Sequence, residues 1–113
     1  MKHLFTLLAL TIGFSMNAQN FWFSGTAIDA IQTANATANG DYSTAMGGGT
    51  TASGSFSTAM GTDTQASGSF STAMGRETNA SGQYSTAMGR DTEASGYTST
   101  AMGENTTANG DYS

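Results

Sequence analysis

The 113-residue chain carries eight acidic residues, three basic ones and one histidine, with 15 glycines, no proline and no cysteine. Its formal net charge of −5 argues against electrostatic binding to nucleic acid or to an anionic membrane. The lack of cysteine excludes disulfides and thiolate chemistry, and the length limits the chain to one domain.

Residues 1–18 read as a secretory signal. Lys2 supplies the positive start, and residues 4–14 form an apolar run interrupted only by Thr6, Thr11 and Gly13. That run is too short for a stable membrane span, and Ala18 before Gln19 marks a cleavage site. The alternative is a frayed apolar N-terminus on a cytosolic protein. Cleavage would remove Lys2 and His3 and leave Arg76 and Arg90 against eight acids, two minus eight, or −6. No later segment could span a bilayer, so no membrane insertion by this chain is expected.

Residues 19–37 are the least regular. Phe21, Trp22 and Phe23 form a dense aromatic cluster, and Thr26-Ala27-Ile28 echoes a Thr-Ala-Met phrase found further on. The stretch is either a degenerate first coil or a short helix over residues 27–34, where Ala27, Ile28 and Ile31 would share a face. The aromatics then cover the end of a stack, since terminal repeats need a cap; a ligand-binding aromatic patch is the competing reading.

From residue 38 onward the chain repeats. Ser-Thr-Ala-Met-Gly starts at Ser43, Ser57, Ser71, Ser85 and Ser99, each 14 residues after the last. Between copies runs Thr-x-Ala-Ser-Gly-x-aromatic. The aromatic column is Tyr42, Phe56, Phe70, Tyr84 and Tyr112, broken at Thr98, where Tyr97 sits one place early. Self-similarity at a fixed period marks a stacked repeat architecture. A Gly every seven residues would cost a helix about 1 kcal/mol each, and Ser and Thr favour turns and strands. Each 14-mer therefore reads as two short strands and two turns, stacking into parallel sheets. The expected fold is an all-β parallel β-roll of 14-residue coils, with five full coils and the start of a sixth over residues 38–113. The chain stops mid-coil, so it is expected to be a fragment of a longer protein.

Side-chain alternation along a strand assigns the faces. Ala45, Ala52, Ala59, Ala66, Ala73, Ala80, Ala87, Ala94 and Ala101 are expected in the roll interior. Thr44, Met46, Thr58, Met60, Thr72, Met74, Thr86, Met88, Thr100 and Met102 fall on the outer face of the longer strand. The turns are assigned to Gly40, Gly47, Gly54, Gly61, Gly68, Gly75, Gly82, Gly89, Gly96 and Gly103, for the backbone freedom glycine gives. An interior of small side chains buries little area, so the Met column needs a second burial site. Adaptable Met side chains suit a subunit interface, and one identical stripe per chain favours cyclic self-association.

The phrase Ser-Thr-Ala-Met-Gly-x-x-Thr-x-Ala-Ser-Gly resembles the 14-residue head repeat of YadA-like trimeric autotransporter adhesins, whose usual form has Ser-Val-Ala-Ile-Gly. The resemblance covers residues 38–113. It implies a left-handed β-roll, a homotrimer packed side by side through the Thr–Met columns, and display at the cell surface or outer membrane of a Gram-negative bacterium. Thr replaces Val and Met replaces Ile here, which makes the implied interface more polar. Similar repeats occur in phage-tail-like surface proteins.

Chemistry finds no foothold. The mature chain has no His, Cys or Lys, and Asp63, Glu77 and Asp91 occupy a solvated turn column whose equivalent elsewhere is Gly49. General acid–base work needs a desolvated, paired site. The calcium β-roll pattern is not met, because Gly47-Gly48-Gly49 occurs once with no Asp in place. Three Asn-x-Ser/Thr triplets, at Asn35, Asn79 and Asn105, read as coincidence in so polar a chain. No catalytic residue, cofactor or metal ligand is therefore assigned. The leading functional reading is a non-enzymatic adhesin head, with Gln65, Arg76, Glu77, Gln83, Arg90, Asp91 and Glu93, together with the aromatic turns, as candidate contacts to an unidentified surface; a solvated face is the plain alternative for each. A passive spacer or tail-fibre segment is the second reading. Ice binding, which requires an exposed flat Thr column, is the third.

Overall fold

A computed structural model describes residues 28–113. The signal segment 1–18 and the cluster Phe21, Trp22 and Phe23 lie outside the described residues. Among the described residues, twelve parallel strands form two six-stranded sheets. The first contains β1 (Ile31–Gln32), β3 (Thr44–Gly48), β5 (Thr58–Thr62), β7 (Thr72–Arg76), β9 (Thr86–Arg90) and β11 (Thr100–Glu104). The second contains β2 (Thr37–Ala38), β4 (Thr51–Ala52), β6 (Gln65–Ala66), β8 (Asn79–Ala80), β10 (Glu93–Ala94) and β12 (Thr107–Ala108). The chain alternates between the sheets, so each circuit is one coil of a parallel β-solenoid of about six coils.

The register follows the repeat. Thr58 pairs with Thr72, Ala59 with Ala73 and Met60 with Met74, and the short strands pair Ala with Ala. The first coil is one residue shorter, with Ile31 facing Thr44. There Thr33 Oγ1 accepts from the Gly47 amide at 3.0 Å, and Gln32 Oε1 accepts from the Ala38 amide at 2.8 Å. Residues 28–34 hold a turn and β1, and no helix forms over them. Adjacent coils also bond at the corners: the Phe56 amide donates to the Asp41 carbonyl at 2.8 Å, and the Glu77 amide to the Thr62 carbonyl at 2.9 Å. Corner amides thus find backbone partners as well, as buried or constrained backbone groups require.

The interior is made of small side chains. Ala38, Ala45, Ala52, Ala59, Ala66, Ala73, Ala80, Ala87 and Ala94 are fully buried and Ala101 nearly so. Two polar columns join them: Ser43, Ser57, Ser71, Ser85 and Ser99, and Thr50, Thr64, Thr78 and Thr92. Ser99 donates its hydroxyl to the Gly96 carbonyl at 2.8 Å, while the hydroxyls of Thr64, Thr78 and Thr92 have no hydrogen-bond partner. A buried unsatisfied hydroxyl costs about 1–3 kcal/mol. The triple variant Thr64→Val, Thr78→Val, Thr92→Val keeps shape and β-branching. It is expected to raise stability by about 1 kcal/mol or more per site, read as a higher urea midpoint. A lower midpoint would show that these hydroxyls are satisfied.

The corners depart from the sequence reading. Gly47, Gly61, Gly75, Gly89 and Gly103 stand inside the long strands, one residue from their ends, rather than in the turns. Their φ values of 119–127° are open to glycine and not to L side chains. The other column, typified by Gly68, opens its turn with an ordinary negative-side φ. A Cβ there would lie 2.6 Å from the Gly82 carbonyl carbon, so close approach of the next coil dictates this glycine, not backbone freedom. The left-handed corner residues are mostly not glycine: Tyr42, Phe56, Phe70, Tyr84, Thr98 and Tyr112 at one corner, and Asp63, Glu77, Asp91 and Asn105 at the other, have φ of 52–60°. Asn and Asp tolerate this region, whereas for bulky residues it is a true outlier.

Candidate interaction surfaces

Three columns run side by side along the outside of the long-strand sheet. Strand alternation turns Thr44, Thr58, Thr72 and Thr86 outward, with Met46, Met60, Met74 and Met88 two residues on; all are half-buried. In the last coil Thr100 and Met102 are exposed, Met102 at 60%. The Thr column is thus an outward one, but its neighbour carries thioethers rather than hydroxyls.

The aromatic column borders this face, two residues before each outward Thr. Tyr42, Phe56 and Phe70 stack with ring centroids 4.9 Å apart and planes 13° and 2° from parallel. Tyr84 continues the stack at 5.3 Å and 14°. Where Thr98 interrupts the sequence pattern, Tyr97 supplies the ring from the preceding position. It meets Tyr84 and Tyr112 edge-on, at 5.6 Å from each. The Tyr97 amide is held by Asp111 Oδ1 at 2.9 Å. The ladder therefore runs unbroken past the gap in the repeat. Aromatic pairs of this kind contribute about 0.5–1.5 kcal/mol each beyond area burial, which helps offset the left-handed backbone at every ring but Tyr97, where Thr98 is the left-handed residue. The three parallel-stacked rings and Tyr84 remain 44–50% exposed.

The seven candidate contact residues do not converge. Arg76, Glu77, Arg90 and Asp91 share the second corner. There Arg76 pairs with Glu77 at 3.0 Å, and Arg90 with Asp91 at 3.3 Å and Glu104 at 2.9 Å. Gln65 and Glu93 sit in the outward column of the short-strand sheet, and Gln83 lies at the aromatic corner beside Tyr84. Hydrogen bonding with Glu77, and then Arg90, holds the Asp91 carboxyl below its ordinary value. A depressed carboxyl adds stability above its unfolded-state value and loses it as pH falls through the folded one. At this solvent-facing corner, screening by water and salt keeps the contribution small. Sequence reasoning picks out these varied charges together with the aromatic turns; the aromatic at every fourteenth position is legible in the sequence, and the stacking of the rings into one ladder is what the structure adds.

Among the described residues, no three His, Cys, Asp or Glu side chains are placed to hold a metal ion. No helix among them is long and apolar enough to cross a membrane. The family model for the YadA head domain repeat, in two copies, matches residues 34–50, 38–64, 52–78, 66–92 and 94–113. No curated protein and no solved structure matches the chain.

Proposed function

Because the chain belongs to the family of YadA head domain repeats, we propose that it is a head segment of a bacterial surface adhesin, non-enzymatic and exported through the signal at residues 1–18. Three copies wind as left-handed rolls and pack side by side through Thr44, Met46 and their equivalents. The observation that carries this reading is the outward Met column. Met46, Met60, Met74 and Met88 form an adaptable apolar stripe in register along the rod. Such a stripe is suited to a subunit interface. A rigid rod of repeated coils multiplies weak contacts to a surface without needing a pocket.

The test is the mass of the full chain by light scattering on a size-exclusion column, beside the same chain fused to a trimeric zipper. The bare chain is expected at three times its 11.5 kDa mass, with β-type circular dichroism. A folded monomer that gains no thermal stability from the zipper would sink the trimeric head. Beads bearing the chain should also resist flow on a cell or matrix surface better than beads bearing the zipper alone. Equal retention would favour a spacer segment.

A further inference from the structure

The aromatic ladder is an exposed apolar feature that the coil geometry itself does not require. Its corner position has a left-handed backbone, for which Asn, Asp or Gly is the ordinary choice. Aromatic residues stand there at five of the seven described corner positions; the first coil has Asp29, and at Thr98 the neighbouring Tyr97 restores the ring. At about 200 Å² per aromatic residue, the fractional exposures of the six rings leave on the order of 600 Å² of ladder in water. A monomer rarely exposes more than that in one patch without a partner.

The geometry narrows the partner. The rings of Tyr42, Phe56, Phe70 and Tyr84 stack on one another, so their faces are largely occupied and their edges point outward. A planar ring or a sugar face has little to stack on. What fits ring edges is a row of sulfurs, since thioether sulfur contacts aromatic rings favourably at the edge. The row must also advance by one coil per step, or only one contact forms. The Met column of a second copy meets both conditions, because Met46, Met60, Met74, Met88 and Met102 climb in the same register as the rings. A closed cyclic assembly has no axial shift between subunits, so ring and sulfur of the same coil meet at the same height.

We infer that the subunit interface is heterologous, with the aromatic ladder of one chain docked against the Met column of the next. The inference rests on the trimeric reading above. It also supplies area that the Met column lacks. A specific interface takes about 800 Å² per partner, and the ladder adds its exposed surface to that of the half-buried Met column.

Two experiments on the full chain test it, each run bare and zipper-fused. In the first, Phe70→Cys and Met74→Cys are combined and oxidised. The path from the corner at Phe70 into β7 is four residues long, about 13 Å when extended, and a disulfide tolerates about 7 Å between Cα atoms. Only a neighbour can bridge them. Covalent trimers are expected on a denaturing gel from the double variant and from neither single variant. In the second, Phe56→Asn and Phe70→Asn, which suit the left-handed backbone, are expected to weaken self-association about thirtyfold or more while keeping the β signal. A wild-type trimer with no 70–74 cross-link and unchanged affinity in the Asn variant overturns the ladder interface and leaves the trimer standing. A monomeric wild type whose zipper fusion also fails to cross-link overturns both.

Discussion

Gly75→Ala is expected to cost about 4 kcal/mol or more, the range reserved for severe backbone or core damage, while Gly48→Ala changes stability by less than about 0.5 kcal/mol or raises it slightly. The two positions lie in equivalent long strands. At Gly75 the backbone has φ +124°, and an added Cβ would lie 2.9 Å from the Gly89 carbonyl carbon and closer still to its oxygen. That oxygen belongs to the next coil, so it cannot swing aside without breaking the β7–β9 ladder. At Gly48 nothing lies within 4 Å, and the same column accepts Thr62, Arg76, Arg90 and Glu104. A third variant separates strain from clash. Gly103 shares the unusual φ, at +121°, but its nearest neighbour is Thr106 Cγ2 at 3.5 Å. Gly103→Ala should therefore cost only the backbone term, about 1–3 kcal/mol. Urea denaturation of the three variants gives the order. If Gly75→Ala behaves like Gly48→Ala, stacking does not dictate this glycine column.

That comparison also shows where the sequence was legible. The 14-residue period assigned one residue to each column, and alternation in the five-residue strands was long enough to fix which columns face in. Ala59 and Ser57 inside, with Thr58 and Met60 outside, followed directly. The short strands carry only two residues, but their Ala sets the phase, and Thr50, Thr64, Thr78 and Thr92, two residues before each Ala, share its inward face; the sequence reading places the Ala column by residue and leaves this Thr column unassigned. The corners were opaque for a different reason. A left-handed residue is signalled locally by Gly, Asn or Asp, and Asp63 and Asn105 fit that rule. Phe56 and Tyr84 do not, because what holds them is a ring from another coil, 14 residues away in the chain. The continuity of the ladder through Tyr97 is likewise visible only once the coils are stacked. The family resemblance was legible because Gly and Ala spacing recurs in every coil; it pointed to an interface on the Thr–Met face and was silent about the aromatic border.

Ala73→Leu is expected to lose about 3 kcal/mol, whereas Met74→Leu, one residue on, stays within about 1.5 kcal/mol of the parent. Ala73 is fully buried, stacked in register between Ala59 and Ala87. The sheets are held apart only by Ala, Ser and Thr side chains, and three added carbons have no gap to enter. Close-packed interiors transmit such strain rather than absorb it. Met74 points the other way and already carries a long side chain. The contrast between neighbours tests the alternation itself, since a one-residue slip would exchange the two results. The mode of failure is also informative. In a solenoid each coil contacts only its neighbours, and stability is close to a sum of coil and interface terms. A wedge at Ala73 weakens the contacts to both adjacent coils and leaves those beyond intact. Melting of Ala73→Leu should therefore broaden or split, with the flanking coils opening separately, where the parent melts in one step. A single sharp transition at lower temperature would mean that the coils unfold as one unit, bound together by something stronger than nearest-neighbour stacking, as the proposed assembly with further copies of the chain would provide.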